Sequence, residues 1–137
     1  MGESVLVDAG FLVALLSRRD AHHRWAAAQL PGLRLPWFTC EAVLSEAFHL
    51  LGGRGGGALA TLLRRQVLVP RFDLGRELDR VLRLLRKYSD VPMSLADACL
   101  VRMTETFPEP VLIATDADFR VYRRHGRQAV PCLLPMG

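Results

Sequence analysis

Lysine is almost missing from this chain of 137 residues: Lys87 is the single one among eighteen basic side chains, and the rest are arginine. The net charge of +4 is therefore carried by planar guanidinium groups, the side chain best shaped for contact with phosphate. Cysteine is also scarce. Cys40, Cys99 and Cys132 lie far apart in apolar surroundings, without CxxC spacing, which excludes a disulfide framework and predicts buried free thiols. The four histidines, His22, His23, His49 and His125, are scattered, and with so few cysteines no zinc-binding spacing exists. Long apolar runs are absent too, so no stretch has the length of a membrane span. The first residues lack the basic flank and cleavage site of a secretory signal, and a soluble, cytoplasmic protein is expected.

Half of the residues are hydrophobic, enough for a real core, and the length predicts a single domain over residues 1–137. Five short apolar runs read as strands: Ser4 to Asp8, Leu33 to Phe38, Val67 to Val69, Val111 to Ala114 and Ala129 to Leu133. Between them the apolar period changes to that of a helix, as in Ala42, Val43, Ala47, Leu50 and Leu51, and again in Leu74, Leu78, Val81, Leu82 and Leu85. Alternating strands and helices predict an α/β fold, a three-layer α/β/α sandwich around a five-stranded, mainly parallel sheet. The segment GGRGGG, residues 52 to 57, has the glycines of a phosphate-binding loop but no Lys-Ser or Lys-Thr pair after it, and it follows a helix. It reads instead as the end of one helix and the start of another.

In open α/β sheets ligands bind beyond the carboxyl ends of the strands, and the acids sort by that rule. Asp8 closes the first strand. Asp116 closes the fourth in VLIATDADF, with Asp118 two residues on. Glu46 lies on the helix after the second strand, and its side chain tilts back toward the helix start. Asp97 sits in the first turn of a helix opened by Ser94, and because that helix precedes a parallel strand its start reaches the same edge. Each acid alone has a plainer explanation. Asp97 completes a capping box with Ser94, Asp116 or Thr115 caps whatever helix begins DADFRVYRR, and Glu41 or Glu46 is a solvated helix residue. Four carboxylates at one edge, however, repel one another and resist ionisation, and a hard divalent cation relieves both costs. If those four acids hold metal, ten others remain against eighteen basic residues, a balance of +8 that suits a polyanion.

Four stretches, VLVDAGFLVALL, TCEAVLSEAFHLL, YSDVPMSLADACLVRM and VLIATDADFRVYRRHG, together resemble the PIN-domain family, specifically the VapC-type toxin ribonucleases of type II toxin-antitoxin systems. The resemblance spans nearly the whole chain. It implies a nuclease that cleaves RNA phosphodiester bonds with Mg²⁺ or Mn²⁺, with Asp8, Glu46, Asp97 and Asp116 as catalytic acids and Asp8, Asp97 and Asp116 as metal ligands. Thr115, Asp118 and Asp90 match less regular supporting positions. A VapB-like antitoxin and a homodimer are implied as partners. One departure stands out: Ala9 and Gly10 follow Asp8, where many relatives carry a hydroxyl.

Since clustered carboxylates repel phosphate, arginines must hold the RNA, and Arg18, Arg19, Arg120, Arg123, Arg124 and Arg127 are candidates. Three other readings compete. A noncatalytic PIN-like module binding nucleic acid or protein would not need all four acids, and a PIN nuclease that is not a toxin would need no antitoxin. A phosphoacceptor receiver domain expects paired acids after the first strand and a lysine at a late strand end, whereas Lys87 falls on a helix.

Overall fold

The structure, a computed structural model, describes residues 3–136. Strand β1 (Ser4–Val7) is buried along its whole length, as its unbroken apolar run requires when helices cover both faces of a sheet. It is followed by α1 (Ala9–Leu16), α2 (His23–Gln29), β2 (Trp37–Thr39), α3 (Glu41–Arg64), β3 (Leu68–Pro70), α4 (Leu74–Lys87), α5 (Leu95–Thr106) and β4 (Pro110–Ile113). Two short strands, β5 (Arg123–Arg124) and β6 (Gln128–Ala129), form a hairpin before β7 (Cys132–Leu133).

The central sheet has the order β3-β2-β1-β4-β7, and every pairing in it is parallel. Successive side chains of a strand point to opposite faces, and β2 shows which helices lie where. Trp37 meets Phe11 of α1 edge to face at 5.6 Å, while Phe38 stacks on Phe107 just beyond α5 at 5.2 Å. Helices α1 and α3 thus cover one face and α5, with α4 packed on it, the other. The expected three-layer α/β/α arrangement is the one found. Phe11, Leu12, Leu100, Leu112 and Tyr122 are fully enclosed in its core, and each such apolar side chain contributes about 1.5–3 kcal/mol by leaving water.

Several boundaries differ from the sequence reading, each for a local reason. The second strand begins at Trp37 rather than Leu33, since Pro36 has no amide hydrogen to give and Trp37 N is the first to donate, to Val67 O at 2.7 Å. The last run splits at Pro131, so Ala129 pairs in the hairpin and only Cys132 and Leu133 join the sheet. No helix of ordinary length follows Asp116: residues Ala117–Arg120 form one tight 3-10 turn and the chain then enters β5. Cys132 is half-buried rather than enclosed, whereas Cys40 and Cys99 are buried. At the glycine run, α3 breaks at Gly52, whose φ of 66° lies in the left-handed region that glycine adopts without strain. Two helical segments are thereby joined at an angle.

Candidate active site

The carboxyl ends of β1, β2 and β4 are locked together by hydrogen bonds. Asp8 N donates to Ile113 O at 3.1 Å, and the buried Thr39 hydroxyl donates to Val7 O at 3.0 Å. Asp8 thus stands at a rigid corner, as the N-cap residue of α1, with its carbonyl accepting from Leu12 N at 3.2 Å. The residue is only 6% exposed. Burial, partly offset by the Ala9 amide, pushes its pKa up to about 7, and the charges of Asp97, Glu46 and Asp116 push it the same way. Residues 8, 46, 97 and 116, distant along the chain, are thus near enough for their charges to act on Asp8.

Asp97 is buried in the first turn of α5. Its backbone N donates to Ser94 Oγ at 3.0 Å, and its Oδ2 accepts from Ser94 N at 3.4 Å. The plainer capping explanation is therefore true of Asp97. It is also incomplete, because Tyr122 Oη donates to the same Oδ2 at 3.0 Å, and a cap alone would not need a buried tyrosine. Burial raises the Asp97 pKa despite these donors, and the same burial together with the Asp97 charge raises that of Tyr122, which keeps the phenol protonated as donor.

Asp116 and Glu46 are exposed, forming a rim around the two enclosed acids. Asp116 Oδ1 accepts from Asp118 N at 2.8 Å in the tight turn, so it caps as the plainer reading holds. Asp118 acts on the Tyr122 hydroxyl through its charge. Thr115 touches the site in an unexpected manner. A Cβ placed on Gly10 would lie 2.1 Å from Thr115 Oγ1, so the side chain missing after Asp8 is the space that the Thr115 hydroxyl fills. Asp90 is exposed in the turn after α4 and Glu41 is exposed in the first turn of α3, and neither is among the charges that act on Asp8.

Among the described residues, no basic side chain forms an ion pair with Asp8, Glu46, Asp97 or Asp116. An oxygen-only set without a counter-charge fits a hard cation. Among the described residues, no three His, Cys, Asp or Glu side chains lie close enough together to hold a metal ion between them.

Tyr122 is the residue that sequence reasoning missed. It packs edge to face on Phe119 and Tyr88, at 5.4 and 5.1 Å, and nothing in FRVYRR separates such a tyrosine from a helix residue. Of the candidate arginines, Arg123 and Arg124 are half-buried and donate to backbone carbonyls of Arg120 and Thr104. Arg120 and Arg127 are exposed, and Arg18 and Arg19 line a recess of about 590 Å³ with Arg54, Leu16, Leu50 and Leu51.

A family model described as PIN domain matches residues 5–124. Among solved structures, the chain is similar to VapC20 of Mycobacterium tuberculosis, a sarcin-ricin loop cleaving toxin, at 25% identity and a TM-score of 0.76, over 86% of this chain and 94% of that one. No match was found among curated protein sequences.

Proposed function

The chain belongs to the PIN-domain family and has a VapC-type structure, and from that premise we propose that it is a metal-dependent endoribonuclease, the toxin of a VapBC pair. The observation that carries this reading is Asp8. A chain that encloses an acid without any counter-charge, and then sets Asp97, Glu46 and Asp116 around it, gives up stability for a site.

Asp8, Asp97 and Asp116 would hold Mg²⁺ or Mn²⁺. The bound ion supplies an acidified water and draws charge from the phosphoryl oxygens. The remaining roles belong to the chain. Glu46, exposed on the rim, orients the attacking water. Tyr122 holds one oxygen of Asp97 by its hydroxyl, which would leave the other for the ion. Thr115, wedged against Gly10, fixes the start of the Asp116 turn relative to α1, and Asp118 steadies that turn by its amide. Asp90 remains a supporting position on the resemblance alone.

The substrate is RNA. Because the similar structure is that of a sarcin-ricin loop cleaving toxin, an oligonucleotide of that loop is the first substrate to try. The recess of Arg18, Arg19 and Arg54 beside Leu16, Leu50 and Leu51 offers charge and apolar contact for an acidic VapB-like segment. Leu50 is 56% exposed there, an apolar surface that a partner would cover. No helix among the described residues is long and apolar enough to cross a membrane, and a cytoplasmic location and a homodimer rest on the family resemblance alone.

The test is RNA cleavage with and without Mg²⁺ or Mn²⁺, for the wild type and for Asp8→Asn and Asp97→Asn. The wild type is expected to cut only with metal and both variants to be inert. Undiminished cutting by the variants would refute the assignment, and absence of cutting by any form on varied RNAs would favour a noncatalytic binding module.

A further inference from the structure

The face of α4 turned away from the core carries Arg76, Arg80, Arg83 and Lys87, spaced four, three and four residues apart and so stacked along one side of the helix. All four are exposed. Like charges at these spacings destabilise a helix, so the stripe is not the arrangement that stability alone selects. Cations in the last turn complement the helix dipole, which accounts for Lys87 but not for Arg80 or Arg83.

Arg80, Arg83 and Lys87, with Leu84, line a recess of about 280 Å³ closed on its far side by Gly126, in the turn between β5 and β6. The one acid in that recess, Glu105, is already engaged: Oε1 accepts from Arg102 at 3.1 Å and Oε2 from His125 N at 2.6 Å. Arg102 is in turn paired with Glu77 at 2.6 Å. Among the described residues, none of Arg80, Arg83 and Lys87 has a carboxylate partner. Three cations therefore face a concave surface whose acid is neutralised from behind. Arg83 continues into an adjoining recess with Arg86, Leu82 and Asp79, and the exposed Arg127 follows Gly126 in the turn.

Internal contacts tie this region to the acids. Lys87 Nζ donates to Gly126 O at 3.0 Å, the next residue, Tyr88, packs on Tyr122, and Tyr122 holds Asp97. From these exposed cations without a carboxylate partner we propose that the recess between α4 and the β5–β6 turn is a second RNA-binding site, which grips the phosphate backbone of the RNA cut at the acid edge. The inference rests on the nuclease reading for the identity of its ligand. A polyanion suits it because the acid edge repels the very backbone it must cut, so a separate cationic surface has to supply the attraction.

The experiment measures binding of a labelled RNA to protein held in EDTA, where no cleavage occurs, for the wild type, R80E/R83E, R80K/R83K and D8N. The double reversal is expected to weaken binding by roughly tenfold or more and to lower the salt slope by about 1.4, the loss of two phosphate contacts on a single strand. The lysine pair is expected to retain most of the affinity, and D8N to bind at least as tightly as the wild type. With metal present, the double reversal is expected to raise KM with little change in kcat. RNA affinity and salt slope unchanged in R80E/R83E would overturn the proposal even if the protein cleaves RNA. Weakened binding in that variant together with no cleavage by any form would sustain the RNA surface while defeating the nuclease. Val81 and the Glu77–Arg102 pair, which fix α4 to the core, are untouched by these changes, and an unaltered thermal midpoint would verify it.

Discussion

The acid edge and the Arg80, Arg83 and Lys87 recess are both clusters of one sign without an ion-pair partner among the described residues, yet they stand under opposite conditions of solvation. Asp8 and Asp97 are enclosed, so each charge is paid for by lost hydration, and Asp8 is driven up to about 7. Arg80, Arg83 and Lys87 are exposed, where water screens them and their mutual repulsion costs little. The difference separates chemistry from attachment. An enclosed cluster is held to a fixed geometry and gains most from a captured ion; an open one remains mobile and suits a ligand of variable sequence and shape.

The largest effects are expected from the enclosed side. Asp8→Asn should lower RNA cleavage by at least about a hundredfold, the scale of losing one preorganised electrostatic group. The same variant should be more stable without metal, by up to about 4 kcal/mol above neutral pH, since the displacement of the Asp8 pKa from 3.8 to about 7 is an energy stored against folding. The pH dependence has a definite sign. A carboxyl whose folded pKa is raised binds its proton more tightly when folded, so its contribution is fully favourable below the unfolded value of 3.8 and is lost as pH rises through about 7. Asp97 shifts in the same direction. The thermal midpoint of metal-free wild type should therefore fall between about pH 4 and about pH 7, and that fall should be shallower in D8N. An exposed cluster gives no such slope, so an equal fall in D8N and wild type would erase the contrast between the two regions.

A smaller effect sharpens the same comparison. Gly10→Ala puts a methyl group where Thr115 Oγ1 now sits, and overpacking of this kind costs about 1–3 kcal/mol. Activity should drop with it, because the Thr115 shift moves Asp116, and T115A should restore part of the loss by vacating the space. Tyr122→Phe keeps the aromatic packing and deletes the hydrogen bond to Asp97. A loss of about 1.5–3 kcal/mol is expected where the acceptor is charged, and the acid limb of the pH–rate profile should move upward as Asp97 loses a donor that favours its ionised form. An unchanged profile in Y122F would reduce the tyrosine to a packing element.

The parts of the fold that were legible are those where burial on both faces writes an unbroken apolar run. Val5 to Val7 and Val111 to Ile113 declare themselves as central strands, and the acids that follow, Asp8 and Asp116, are placed by the rule that ligands gather beyond strand ends. Ser94 announced the start of α5 and thereby the location of Asp97. The β5–β6 hairpin was illegible, because two-residue strands carry no period, although His125 and Gly126, with φ of 50° and 82°, mark its turn. Missing the hairpin meant missing Tyr122, whose role depends on being returned to α5. The basic stripe of α4 was written plainly in its spacing, but the leucines at the same period drew the reading toward the core. The partnership of Gly10 with Thr115 could not be read at all, since it is a contact between residues more than a hundred positions apart.

The most direct measurement is the thermal midpoint at about pH 8 with and without Mn²⁺, for wild type and D8N. The wild type should be stabilised by the ion, by about 1.4 kcal/mol at ten times the dissociation constant, and D8N should respond little or not at all. An equal response of the two proteins, or none in the wild type at saturating Mn²⁺, would contradict the claim that this enclosed acid edge is built to capture a divalent cation.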